Sequence, residues 1–540
     1  MSTLWPRYSA PEDLTEIESV PLSDRGLPDS TYALLKRAAD LWPHRRAITI
    51  LPEAARWRKP RSWTFAELLG EVRRYANLLR EQGFGRNDAI ALMSNDRAVM
   101  IPAILAAQLV GIAMPINPDL APEHVNELLA RAGAREPDLS ASPESSKYDG
   151  ELPQGTDLAA YFHTGGTTGA PKLAAHTHAN EVANAWMLAA NELLDEDSVL
   201  FAALPLFHVN ALIVTLLTPL FKGQHVVWAG PLGYREPALY GEFWRIVEHF
   251  RITTMSAVPT VYGVLAQCPV NADISSLRFA MVGAAPLPPA VRNSFEAHTG
   301  VPLVEGYGLT EATCATARGF PDALRPGSVG QRLPYQQVKV QADGVLAISG
   351  PTVFAGYVKS PGELVEPGEW LDTGDLASVD DDGFIRLSGR AKDLIVRGGH
   401  NIDPAVIEDA LLGHSAVTGA SAVGRPDPHA GEVPVAYVTV AGDVTPEELR
   451  EWAEQRVPER AAAPKEVVVV PALPLTAIGK PYKVELRVDA TRRELEGLDV
   501  EVSAEGGGVV VLVGADAVAD VKPVLDRYAI AWRIKEEARS

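Results

Sequence analysis

Amphipathic helical patterns alternate with short apolar runs along most of this chain, and that alternation narrows the accessible folds more than any other feature. FAELLGEVRRYANLLREQG (65–83) has helical periodicity and a stop at Gly83, and AIALMSND (89–96) follows as a buried strand. AVMIPAILAAQLVGIAMPI (98–116) is long enough to cross a bilayer on paper. Pro102, Gln108, Gly111 and Pro115 interrupt it, so it reads as a buried helix followed by a strand, not a membrane span. HVVWAG (225–230), TTMSAVP (253–259) and FAMVGAA (279–285) are further strands, each beside a helical pattern. Alternating β and α units imply parallel sheets with helices on their faces.

The pattern changes over residues 338–388. VKVQADGVLAISG and SVDDDGFIRLSGR are short runs split by Asp-Gly turns, a hairpin signal. A compact α+β unit follows. NIDPAVIEDALLGH starts a helix with Pro404 in its first turn, VPVAYVTV is a strand, and TPEELREWAEQRVPE is a helix with Thr445 as N-cap. KEVVVVPALP is a strand. The tail reads as strand, Gly-rich turn, strand, helix and strand, a small packed appendage with no assigned function. The expected division is 1–388, 389–496 and 497–540.

A chain of 540 residues accommodates two or more domains. Its net charge of −20, from 69 acidic and 49 basic residues, argues against a nucleic-acid binder. Anionic substrates remain open, because a few local cations and backbone N–H groups suffice for them. The cluster Arg56, Arg58, Lys59, Arg61 reads as a solvated face. Cys268 and Cys314 are too few for a disulfide framework and have no metal-ligand spacing. The start, MSTLWPRYSAPEDLTEIE, lacks a signal-peptide pattern, so a cytoplasmic setting is expected.

The densest chemistry lies in YFHTGGTTGAPKLAAHTH (161–178). A strand runs into a loop of glycines and threonines ending at Lys172. Glycines bring backbone N–H groups close to an anion, hydroxyls add donors, and the lysine adds a charge. The spacing is not that of a Walker loop, which needs Gly directly before Lys. A flexible linker rarely carries this donor density behind an apolar strand.

TGGTTGAPK resembles the phosphate loop of the adenylate-forming superfamily, here Thr164, Gly165, Gly166, Thr167, Thr168, Gly169 and Lys172. Further blocks match in order. VGAAPLP (282–288) is similar to the adenine-side loop, with Gly283, Ala284, Ala285 and Pro286. EGYGLTEAT (305–313) is similar to the block that stacks adenine and binds phosphate and magnesium. WLDTGDL (370–376), GRAKDLIVRGGHNIDPAVIE (389–408) and PLTAIGKPYK (474–483) are similar to the ribose, hinge and catalytic-lysine blocks. The resemblance covers roughly residues 30–490 and points to an acyl-CoA synthetase.

It implies a large N-terminal domain of parallel α/β subdomains plus a β-rich subdomain, with a small mobile α+β C-terminal domain. It implies ATP, Mg2+ and coenzyme A as cofactors and a small carboxylic acid as substrate. Tyr307 would stack on adenine, Thr310 would reach the α-phosphate, and Glu311 would ligate Mg2+. A dinucleotide site is disfavoured, because Glu311 occupies the place of that fingerprint's last glycine. Asp375 would accept from ribose hydroxyls, with Arg390 also on the nucleotide. Lys480 would bridge the acyl carboxylate and the α-phosphate, where a charge in a dry site counts for much. The small domain would then swing about Lys392. That motion would remove Lys480 and bring in Arg397, Gly398, Gly399 and His400 beside the pantetheine arm.

The chain departs from the family at Gly165, where many relatives have serine, and over 134–156, a short polar stretch where relatives often carry a strand and helix. The shortened edge leaves room for altered homodimer contacts. His208 stands where amino-acid-activating relatives carry an aspartate, which disfavours an α-amino acid. Acyl-pocket candidates are His208, Val209, Val258, Pro259 and Gly283, whose apolar cast suggests a hydrophobic acyl group. Three alternatives stay open: an enzyme that only converts a supplied acyl-AMP to acyl-CoA, a luciferase-like oxygenase, and a non-catalytic adenylate-binding protein.

Overall fold

The computed structural model describes residues 4–6, 8, 12–140, 145–164, 172–476, 479–505, 508–528 and 530–535. The helix expected to stop at Gly83 runs Phe65–Glu81. Thr64 and Glu67 form a capping box at its start, and Gly83 takes φ +78°, a left-handed conformation that favours glycine. The interrupted apolar stretch forms the buried helix Arg97–Val110 and the strand Ile112–Pro115. Among the described residues no helix is long and apolar enough to cross a membrane.

Two large sheets form the body. One has nine strands among the described residues. Their order is Gln331–Arg332, Ala317–Arg318, Leu303–Tyr307, Phe279–Val282, Thr254–Ala257, Val199–Ala202, His225–Trp228, Arg46–Ile50, Arg61–Thr64. Its central pairs are parallel and its edge pairs antiparallel. The other sheet orders Glu363–Val365, Gly356–Ser360, Lys172–Thr177, Leu158–Thr164, Ile112–Pro115, Ala89–Leu92. The apolar strands HVVWAG, TTMSAVP and FAMVGAA all sit in the first sheet, where both faces are covered.

The hairpins read from 338–388 form a four-stranded antiparallel sheet: Gln337–Val340, Val345–Ser349, Leu371–Val379, Ile385–Arg390. One piece departs from that reading. Gly356–Ser360 leaves the hairpins and pairs antiparallel with Lys172–Thr177 in the second large sheet. Gly356 makes the crossing feasible, since a Cβ there would stand 2.5 Å from the Val365 carbonyl oxygen.

The smaller unit pairs Val417–Asp427 with Gly431–Val440 and adds Glu466–Val469 in parallel. Helices Pro404–Leu412 and Pro446–Glu454 cover it, the second capped by Thr445 with Glu448. Its core includes Ile407, Leu411, Ala436, Val438 and Leu449. The tail forms Val500–Glu505, Gly508–Val513, Val518–Leu525 and Ala531–Ile534 in the order read from the sequence. It packs on helix Lys483–Glu494 through Leu495, Val511 and Leu525, and Tyr528 donates to Glu494 at 3.0 Å. Cys314 is buried, Cys268 partly so, and both are free thiols. In 134–156 no helix or strand forms among the described residues. Asn77 holds that stretch through the carbonyls of Ser145 and Lys147.

Candidate active site

Parallel strands in an open α/β sheet present loops at their C-terminal ends, and ligands bind there. The loops after Val199–Ala202, Thr254–Ala257, Phe279–Val282 and Leu303–Tyr307 carry His208, Pro259, Gly283 and Thr310 to that edge. The four-stranded sheet adds Asp375 and Arg390, which face each other on neighbouring strands.

Asp375 is the hub. Its Oδ1 accepts from Arg390 Nε at 3.0 Å and its Oδ2 from the Tyr307 hydroxyl at 2.6 Å. Tyr307 is buried among Ala317, Leu346 and Ile385, and burial, then the Asp375 charge, push its hydroxyl up, so it stays a donor. Lys480 lies within electrostatic reach of the same pair. Burial first, then Arg390, bring its ammonium down to about 8, with Asp375 opposing. Its loop docks on the body: Thr260 Oγ1 donates to the Gly479 carbonyl at 3.3 Å, and a Cβ at Gly479 would stand 3.5 Å from Val258.

His208 caps the short helix Val209–Leu212. Its Nδ1 accepts from the Asn210 N–H at 3.3 Å, which puts the proton on Nε2. Burial, then Lys480 and then His163, push His208 down to about 3, and burial brings His163 to about 4. Both imidazoles are therefore neutral at pH 7. Val209 and Val258 are buried, and Pro259 opens a helix, Pro259–Leu265.

The Thr310–Glu311 turn is tightly built. A Cβ at Gly308 would lie 1.7 Å from the Cys314 carbonyl oxygen, so the approach requires glycine. Thr313 has φ +65° and ψ −58°, and the Cys314 N–H bonds the Ala312 carbonyl at 2.7 Å. That is a γ-turn on a β-branched residue, a strained conformation that its surroundings must enforce. Thr313 Oγ1 donates to the Thr352 carbonyl at 2.7 Å, and Asn184 both donates to and accepts from Ala315. His176 Nε2 meets the Thr310 carbonyl at 2.8 Å. Its Nδ1 lies 3.6 Å from Glu181 Oε1, and Glu181 Oε2 accepts from Gln108 at 2.6 Å.

Thr164 and Lys172 face each other across antiparallel strands. Gly165, Gly166, Thr167, Thr168 and Gly169 lie outside the described residues. Two residues that the sequence reading passed over join the site. Tyr357 donates to Glu311 Oε1 at 2.7 Å, and its ring centre is 4.6 Å from Lys172 Nζ, so it links the two groups expected on the phosphate side. No motif marks it, because its strand crosses over from the hairpin region. His163 lies one residue before Thr164, inside the quoted motif, and its charge effect on His208 emerges only in the fold. In the loop 282–288, expected on the adenine side, a Cβ at Gly283 would stand 3.0 Å from the Gly306 carbonyl oxygen, and Ala284 takes φ +68°. Ala285 and Pro286 follow on the way to helix Pro289–Thr299.

Arg397, Gly398, Gly399 and His400 stand apart from this cluster. They form an exposed hairpin tip tied to its own unit, with Arg397 on the Ala461 carbonyl at 2.6 Å and His400 on Glu459 at 3.1 Å. A Cβ at Gly398 or Gly399 would meet nothing within 4 Å. Lys392 sits exposed in the turn between Ile385–Arg390 and Ile395–Arg397.

The family model of AMP-binding enzymes matches residues 35–136 and 134–358, and that of the AMP-binding enzyme C-terminal domain matches 406–480. Marinolic acid–CoA ligase of Pseudoalteromonas sp. is 36% identical over 551 aligned residues, covering 89% of this chain and 84% of that protein. Feruloyl-CoA synthase of Amycolatopsis sp. is 32% identical, covering 83% and 98%. The solved structure of o-succinylbenzoate coenzyme A synthetase from Bacillus subtilis with ATP and magnesium superposes with a TM-score of 0.72 at 26% identity, covering 83% of this chain and 98% of that one. Six motif blocks in order and these matches agree: the chain belongs to the AMP-binding enzymes, as an adenylate-forming acyl-CoA synthetase.

Proposed function

We propose that the chain is a complete acid–CoA ligase working in two steps around one site. In the first, a carboxylate oxygen attacks the α-phosphorus of ATP. The new O–P bond forms, the bond to the β-phosphate's bridging oxygen breaks, and pyrophosphate leaves. In the second, the coenzyme A thiol gives up its proton and attacks the acyl carbon, a C–S bond forms, and AMP leaves. The observation that carries this reading is the docked Lys480 loop, which brings the Lys480 ammonium within electrostatic reach of Asp375 and Arg390 and seats Gly479 beside Val258. A cation there offsets the repulsion between two approaching anions. Asp375 takes the ribose, and Thr310, Lys172 and the phosphate loop take the phosphates.

Glu311 is suited to Mg2+. Tyr357 occupies Oε1, Oε2 accepts no hydrogen bond among the described residues, and no cluster of three or more ligating side chains surrounds it there. One free carboxylate oxygen fits a cation that takes most of its ligands from water and phosphate. When bound, the ion neutralises phosphate charge. The acid is a small one with a mainly apolar body, lying along Val209, Val258 and Pro259, with neutral His208 donating from Nε2.

Gly165 removes one hydroxyl donor, a loss of about 10–100-fold at most for a bond to a charged group. Two assays decide between the complete ligase and an enzyme that uses only supplied acyl-AMP. Pyrophosphate release from acid and ATP is expected, together with thioester formation from acyl-AMP and coenzyme A. Thioester formation without pyrophosphate release, for the acid whose adenylate is accepted, would overturn the complete-ligase reading.

A further inference from the structure

Arg97 is the anomaly of the body. It opens helix Arg97–Val110, its side chain is 5% exposed, and no hydrogen bond or ion pair reaches it among the described residues. Its Nε is sealed from solvent without an acceptor. The guanidinium lies 5.4 Å from the Trp228 ring centre, and a Cβ on Gly233 would stand 3.5 Å from its Nη2. The charge that acts on it is that of Arg235, of the same sign; burial, then Arg235, bring Arg97 down to about 10. Arg235 has a partner in Asp119 at 2.6 Å. Arg97 has only the Trp228 ring. Burying a cation without an anion is costly and calls for an explanation, and a ligand that brings the anion supplies one.

Its position says which ligand. Trp228 ends strand His225–Trp228, and Gly233 lies against the Ala203 carbonyl, just past the end of Val199–Ala202. That is the ligand edge of the sheet, and the chain continues from Ala203 to His208. On the adjoining sheet the Asn117 N–H meets His163 at 3.4 Å, two residues before Asp119. Arg97 thus shares its loops with the site. Yet the Trp228 strand lies on the other side of Val199–Ala202 from Thr254–Ala257 and Phe279–Val282, whose loops carry Pro259 and Gly283, so Arg97 stands away from the reacting carboxylate.

We propose that Arg97 is the specificity residue for the far end of the acid, pairing with a second anionic group, a carboxylate or its equivalent, on a substrate with an apolar middle. This rests on the ligase reading above. The test measures pyrophosphate release with straight-chain diacids and monoacids matched in length. At the best length the wild type favours the diacid by about 10–100-fold in kcat/KM, the range for a hydrogen bond to a charged group. In Arg97→Met the ratio falls to about one, while Tm rises because an unpaired buried charge has gone. Arg97→Gln, which keeps a donor without the charge, loses the same preference and decides the matter if Arg97→Met does not fold. A wild type that favours the monoacid at every length overturns the proposal. So does an unchanged ratio in the variants, or a Tm that falls with the ratio intact, which would make Arg97 structural. A wild type that activates no acid at all is a different failure: it removes the ligase reading, and this proposal with it.

Discussion

On the proposed reading Lys480 must be charged to act, and its surroundings work against the charge. Burial and Arg390 lower its ammonium from 10.5 to about 8. A lysine with a depressed value stays protonated below that value and loses its proton above it. Adenylation kcat/KM, which reports the free enzyme, is therefore expected to fall as pH rises through about 8. His208 and His163, held at about 3 and about 4, are neutral throughout and contribute no limb between pH 5 and 8. Lys480→Ala should lose adenylation by on the order of 10²–10³-fold and with it the alkaline limb, while sparing thioester formation from supplied acyl-AMP. Pyrophosphate release measured across pH checks both points. Equal loss of the two half-reactions would mean that the lysine is wrongly assigned.

At the scale of elements, the site depends on a strained turn held from behind. His176 bonds the Thr310 carbonyl and is itself buried against Glu181, so strand Lys172–Thr177 and helix His178–Ala189 together fix where Thr310 and Glu311 stand. His176→Leu keeps the volume roughly and removes that bond. It should raise KM for ATP about tenfold, the scale of one hydrogen bond with its orphaned partner, and leave thioester formation from acyl-AMP near wild type. Matched loss in both steps would indicate general destabilisation instead. The motif blocks around Thr310, Asp375 and Lys480 were legible because each is a local sequence with a local job. The helix at 65–81, the 97–115 helix–strand pair and the Asp-Gly hairpins were legible because periodicity and turn chemistry are local too. Tyr357, His163, His176 and Arg97 were not. Each matters through a partner dozens to hundreds of residues away, and the crossing of Gly356–Ser360 into the second large sheet has no local signature.

For the whole molecule the question is how one site serves two steps. Among the described residues the small unit meets the body where Thr260 bonds Gly479 and where helix Pro404–Leu412 lies against Pro289–Thr299. Relative motion is the default for two domains of one chain unless their interface is large and hydrophobic. The structure holds Lys480 inward and the Gly398–Gly399 tip in solvent, which on the proposed reading is the adenylating arrangement. Gly399→Trp strains the tip locally, since Gly399 takes φ +87°, but nothing lies within 4 Å of a Cβ there, so it should spare pyrophosphate release and should block thioester formation if the tip enters the site in the second step. The pivot is the sharper test. Lys392 lies in a turn where Ala391 N–H bonds the Gly374 carbonyl and Asp393 N–H bonds the Arg390 carbonyl, and its own N–H makes no hydrogen bond among the described residues. Proline there sacrifices no hydrogen bond of this arrangement. It does fix φ near −65°, and a hinge must absorb a large dihedral change. Lys392→Pro should therefore retain adenylation and lose thioester formation by at least tenfold, a barrier increase of about 1.4 kcal/mol. Single-turnover measurements of each half-reaction separate the two. Both steps at wild-type rates would move the pivot away from Lys392.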